Sequence, residues 1–97
     1  MVVGCLEVVL HIPEVHSLKE KRSVVRRAVD RVKNKFDVAI AEVGLNDEHQ
    51  SAMLGITAVA NDHSFVNSVI DKVLGFLEDD LIGRASVQST RMEIIHW

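Results

Sequence analysis

Residues 2–12 alternate between two sets of side chains, and this alternation limits the possible folds more than any other feature of the chain. The even-numbered positions are all apolar, whereas the odd-numbered positions mix apolar residues with Glu7 and His11. Side chains at every second position of a β-strand point to the same face of the sheet, so the segment predicts a strand. Pro13 ends it, because proline has no N–H to donate to a neighbouring strand.

A helix is predicted soon after this strand. Ser17 and Glu20 have the spacing of a capping box, in which the serine oxygen accepts an N–H of the first turn and the glutamate accepts the serine N–H. Apolar residues then recur at helical spacing, and no glycine or proline follows until Gly44. We therefore predict a helix over residues 18–35.

Two more strands, a second helix and a last strand are predicted after the first helix. Residues 38–43 and 52–60 are typical of strands, and the turn-forming residues between them predict an antiparallel hairpin. Asn61 or Asp62 then caps a second amphipathic helix that ends at the acidic run 78–80. Residues 84–96 predict a last strand with a bulge near Ser89.

The order strand, helix, strand, strand, helix, strand is that of the split βαβ arrangement. It predicts an α+β, ferredoxin-like βαββαβ sandwich, in which a four-stranded antiparallel sheet in the order 4-1-3-2 carries both helices on one face. The 97 residues suit one hydrophobic core, so we expect a single domain over 1–97.

The chain has the composition of a globular cytoplasmic protein. Cys5 is its single cysteine, which rules out an internal disulfide. The sequence has no signal-peptide pattern and no apolar run of about 18 residues. We expect a cytoplasmic location and no membrane partner.

Positive charge is concentrated in one segment of the chain. Residues 19–35 hold eight basic and two acidic residues, a net charge of +6, whereas the remainder holds three basic and twelve acidic residues, a net charge of −9. Such a helix face can contact phosphates and release their counterions. The candidate nucleic-acid-binding residues are Lys19, Lys21, Arg22, Arg26, Arg27, Arg31 and Lys33. The alternative is a solvated helix face, paired in part with Asp71 and residues 78–80 of the second helix.

The sheet face away from the helices offers a different surface. It carries no aromatic rings, which argues against the base-stacking mode of RNA-recognition sheets. Small apolar side chains on an open face are typical of a surface buried by another copy, so we expect a homodimer or a larger assembly. The candidate oligomer face consists of Val3, Cys5, Val9, Ala39, Ala41, Thr57 and Val59.

The sequence shows no arrangement of residues typical of an enzyme, a metal site or a cofactor site. The five histidines are scattered, and no glycine-rich phosphate loop or nucleophile elbow is present. Residues 47–49 form a polar cluster in the hairpin loop, where a role in the turn is expected. An acylphosphatase of this topology needs a loop with glycine and arginine after the first strand, and residues 13–16 contain neither. We therefore expect no catalysis, no metal and no cofactor.

The hexapeptide S-L-K-E-K-R at residues 17–22 resembles the YlxP-like family of small bacterial proteins, a domain of unknown function. The likeness continues through residues 38–43, Asp47, Gln50, residues 54–55 and residues 61–62. The resemblance implies a ferredoxin-like fold, no established activity and a link to ribosome assembly.

Two functions therefore compete. The first is an RNA- or ribosome-binding accessory factor, which contacts ribosomal RNA or a ribosomal subunit through the basic helix. The second is an oligomeric interaction or ligand-sensing module similar to ACT domains, which assembles through its open sheet face.

Overall fold

The computed structural model describes all residues, 1–97. Its elements follow one another in the predicted order. They are β1 (Val2–His11), α1 (Leu18–Lys35), β2 (Ala39–Gly44), β3 (Ser51–Ala60), α2 (His63–Asp80) and β4 (Ser86–His96). The predicted bounds of the first helix are confirmed at both ends.

The four strands form one antiparallel sheet in the order β2-β3-β1-β4, which is the predicted order counted from the opposite edge. β1 pairs with β3 along its whole length, from Val2 opposite Ala60 to His11 opposite Ser51. The predicted α+β ferredoxin-like fold is confirmed.

Each edge strand contains a bulge. Ser89 lies opposite Val9 and Val87 lies opposite Leu10, so Gln88 is the extra residue of β4, one position from the predicted bulge. Glu42 lies opposite Leu54 and Gly44 opposite Met53, so the extra residue of β2 is Val43. Both edges are therefore distorted at one end.

The core lies between the sheet and the two helices, which cover the same sheet face. Alternate residues of β1, such as Leu6 and Leu10, are almost fully buried beneath this helical layer, which contributes Val32 and Ile70 to the core. Gly4 belongs to the same row of β1, and a Cβ at this position would lie 2.6 Å from Cγ1 of Val66. The close approach of α2 to β1 therefore requires glycine here. Neither helix combines the length and the apolar character needed to cross a membrane.

Candidate nucleic-acid interface

The capping box at the start of α1 positions the basic helix. The N–H of Glu20 donates to Oγ of Ser17 at 3.1 Å, as predicted. The Glu20 carboxylate accepts from the N–H of His16 at 3.1 Å, one residue before the expected donor. Two backbone donors at this helix end thus have partners, which fixes the direction in which α1 leaves the connection.

The outer face of α1 carries the basic surface, which we define as Lys19, Arg22, Arg26, Arg27 and Lys33. All five side chains are exposed, and none forms an ion pair with an acidic side chain. Four of them line a shallow groove that also includes Ser23 and Asp30. The structure therefore presents these five predicted cations together, free to meet an anionic partner.

Arg31 differs from the basic surface because it already has an acidic partner. Its Nε lies 2.5 Å from Oδ1 of Asp80, a carboxylate that is only 5% exposed. Nη2 of Arg84 lies 3.5 Å from the other oxygen of the same carboxylate. The pairing of helix cations with the acidic end of α2, predicted as the alternative, thus holds for this one residue.

Lys21 does not lie on the basic surface, and its inclusion among the candidate nucleic-acid-binding residues is wrong. Its side chain is completely buried between α1 and the sheet. Its Nζ donates to the carbonyl oxygen of Leu45 at 2.6 Å and lies 3.0 Å from Oε2 of Glu42. The reason is its position in the helix, since it follows Leu18 by three residues and precedes Val25 by four, on the apolar stripe.

The buried lysine fixes the loop between β2 and β3. Leu45, which accepts its hydrogen bond, has a φ of 58°, and its carbonyl also accepts from the N–H of Glu48 at 3.0 Å. At the other end of the loop, Nε2 of Gln50 donates to the carbonyls of Pro13 (3.0 Å) and Val15 (3.3 Å). The loop is therefore attached both to α1 and to the connection that precedes it.

Sequence reasoning missed this buried polar cluster, although two signals pointed to it. Lys21 lies on the apolar stripe of its helix, and Glu42 lies two residues after the buried Ile40, on the same strand face. The cluster orders the loop that displays Asp47 and His49, which line a polar depression beside His16.

The structure places all seven residues of the predicted oligomer face on the open side of the sheet. Val3, Cys5 and Val9 are half-buried by their neighbours, whereas the four residues of β2 and β3 are exposed, and Val59 is 62% exposed. A shallow depression of apolar side chains lies at the centre, where Cys5 and Val43 are among the lining residues. Val43 follows Ala39 and Ala41 in the alternation of β2 and lies on the same face, so the sequence pattern could have added it to the predicted set.

Solved structures that resemble this chain share its fold. A de novo designed protein with a ferredoxin fold matches with a TM-score of 0.62 at 16% identity, over 100% of this chain and 88% of that one. A dimeric ferredoxin-like protein from an uncultured marine organism matches with a TM-score of 0.53 at 9% identity, over 100% of this chain and 98% of that one. At such identities these similarities show the fold alone.

Sequence comparison identifies the family. The uncharacterised protein YlxP of Bacillus subtilis (strain 168) is 38% identical over 76 residues, which are 78% of this chain and 83% of that protein. The family model described as a protein of unknown function, DUF503, matches residues 3–92. This chain therefore belongs to the DUF503 family.

Proposed function

We propose that this protein binds structured RNA, ribosomal RNA or a ribosomal subunit in particular, through the basic surface of α1. The observation that supports the proposal is a group of five exposed, unpaired cations on one helix of a chain whose residues outside 19–35 carry a net charge of −9. A face of this kind concentrates positive potential locally although the formal net charge of the whole chain is −3.

The dimensions and chemistry of the basic surface suit a phosphate backbone. From Lys19 to Lys33 the helix rises about 21 Å, at about 1.5 Å per residue. Three of the five cations are arginines, whose planar guanidinium groups can donate two hydrogen bonds to one phosphate. Each phosphate contact releases a counterion, so the affinity depends steeply on salt.

We expect little preference for RNA sequence. Sequence-specific recognition of single-stranded RNA uses aromatic side chains or hydrogen-bond donors that reach base edges. The basic surface carries only long cationic side chains, and no strand places a phenylalanine, tyrosine or tryptophan on the open sheet face. Contacts to phosphates position a protein on the nucleic acid but carry no sequence information directly.

The test is binding to purified ribosomal subunits and to a structured ribosomal RNA fragment across a salt series. The variant R22E/R26E/R27E is expected to lose binding, and the wild-type protein is expected to cosediment with a subunit at moderate salt but not at high salt. R26E and K72E form a matched pair, since each reverses one exposed cation, on α1 and α2 respectively. An affinity unchanged by the triple reversal, or equally weakened by both single reversals, rejects the proposal.

A second candidate function is that of a noncatalytic interaction or ligand-sensing module, similar to ACT domains, which assembles through its open sheet face. The apolar depression around Cys5 and the exposed Val59 favour it. Light scattering at tens of micromolar, with Val59→Lys as the disrupting variant, tests assembly, and a thermal-shift screen with amino acids tests ligand binding. A strictly monomeric protein that no amino acid stabilises contradicts this function.

A further inference from the structure

β4 is an edge strand, and one of its long sides has no neighbouring strand in the monomer. It runs for 11 residues and contains neither lysine nor proline, which commonly prevent an edge strand from pairing with another chain. The other edge strand, β2, has only 6 residues. β4 is thus the sheet edge better suited to accept a further strand.

The free backbone groups of β4 belong to the even-numbered residues beyond its bulge. Trp97 N donates to the carbonyl of Met1 at 2.7 Å, and Met1 N donates to the carbonyl of Trp97 at 3.0 Å. Because the direction of these hydrogen bonds alternates along an antiparallel strand, the other odd-numbered residues of this segment also bond toward β1. The N–H and C=O groups of Thr90, Met92 and Ile94 therefore point away from the sheet.

Two charged side chains on the open sheet face make β4 complementary to a second copy of itself. Arg91 contacts Glu7 of β1 at 3.7 Å, whereas Glu93, beside Cys5, has no ion pair. When two copies of β4 pair antiparallel with Met92 at the centre, Arg91 of each copy lies opposite Glu93 of the other. Centring the pair on Arg91 or on Glu93 instead places like charges opposite each other, which is unfavourable.

Met92 supports the same register from the other sheet face. It pairs with Leu6 of β1, so its side chain lies on the face that the helices cover. It is nevertheless 41% exposed, because the helical layer does not close over the sheet edge. In the centred register the two Met92 side chains pack against each other, and Thr90 of each copy lies opposite Ile94 of the other.

We propose that β4 is a self-association surface, on which a second copy of this chain pairs its own β4 antiparallel, with Met92 at the two-fold axis. The result is a continuous eight-stranded sheet, and its axis is perpendicular to that sheet. The helices of both copies therefore lie on one side. α1 packs over β2 at the far edge, so both basic surfaces and the open sheet face stay accessible. The proposal does not depend on RNA binding.

The first test is disulfide crosslinking in a C5S background. Because Met92 lies opposite its own copy, with Cα atoms about 5.5 Å apart, M92C is expected to form an intermolecular disulfide under mild oxidation. T90C is the matched control, since it is exposed on the same face but lies opposite Ile94 rather than itself. Equal crosslinking of the two variants, or none in either, overturns the proposed register.

The second test is a charge swap, followed by sedimentation equilibrium of the full chain. E93R places two arginines opposite each other on both sides of the central Met92 pair, and it is expected to weaken the dimer about tenfold or more. R91E/E93R restores opposite charges across the interface, and recovery in this double variant supports the edge interface. A dimer that E93R leaves intact but V59K dissociates assembles through the sheet face instead, and overturns the proposal.

Discussion

Lys21 and Glu42 face each other between α1 and β2, with 3.0 Å between Nζ and Oε2. The lysine is fully buried, whereas the glutamate side chain is 18% exposed. The same ammonium group donates to the carbonyl of Leu45, so one charged group connects the first helix, the edge strand and the loop that follows it. A residue that resembles a surface cation in the sequence thus has a structural role.

Removing one partner of this pair is expected to destabilise the protein. Glu42→Leu leaves a buried ammonium group with a single neutral acceptor, and we expect a loss of about 3 kcal/mol in the free energy of unfolding. Lys21→Met leaves a carboxylate that water can reach in part, so a smaller loss of about 2 kcal/mol is expected. Urea unfolding measures both values.

The double variant K21M/E42L is expected to lose less than the sum of the two single losses, because neither charge is then left unpaired. Lys19→Met is the control, since it removes an exposed cation from the same helix and leaves stability nearly unchanged. Additive losses in the double variant mean that the two side chains do not interact.

Glycines 4 and 75 are expected to respond in opposite directions to alanine. A Cβ at Gly4 would stand 2.6 Å from Cγ1 of Val66, so Gly4→Ala is expected to destabilise the protein by about 1–3 kcal/mol. A Cβ at Gly75 meets no atom within 4 Å, and alanine inside a helix is expected to stabilise by about 0.5–1 kcal/mol. Thermal unfolding measures the change in stability of each variant. A Gly4→Ala protein as stable as the wild type contradicts the close approach of α2 to β1.

Ser17 is expected to contribute as a helix cap and not as a phosphate contact. Its Oγ accepts from the N–H of Glu20, so Ser17→Ala is expected to cost about 1 kcal/mol of stability. Ser23→Ala, at an exposed position of the same helix, is the control and is expected to change stability little. RNA affinity measured well below the unfolding temperature stays the same in both variants, and a selective loss of affinity in S17A contradicts the assigned role.

The salt dependence of RNA binding is expected to be proportional to the number of phosphates that the cations of the basic surface contact. Neutralising three of them in R22Q/R26Q/R27Q is expected to reduce the slope of log affinity against log salt by about 2 to 3. Arg31→Gln is expected to reduce this slope by less than the value for one phosphate contact, because its guanidinium already pairs with Asp80. Filter binding at several salt concentrations measures the slopes. If Arg31→Gln reduces the slope by one third of the reduction in the triple variant, Arg31 contacts phosphate as the exposed arginines do, and the prediction is wrong.

The secondary structure of this chain was determined by features local in the sequence. The alternation over residues 2–12, the capping box at Ser17 and the apolar spacing of both helices depend on residues a few positions apart. These features define six elements, and the rules for connecting six elements allow few arrangements. The order of the strands in the sheet could therefore also be predicted from the sequence. The exposed cations of α1 were predictable for the same reason, except where the helix faces the core.

Only the tertiary structure decided which charged residues are free to bind a partner and which are already paired within the protein. Lys21 meets a carbonyl 24 residues away, and Arg31 meets a carboxylate at the end of the other helix. The exposed side of β4 likewise depends on which strand becomes an edge of the sheet. Helical and strand periodicity arise from neighbours along the chain, whereas burial and ion pairing depend on distant segments that packing brings together.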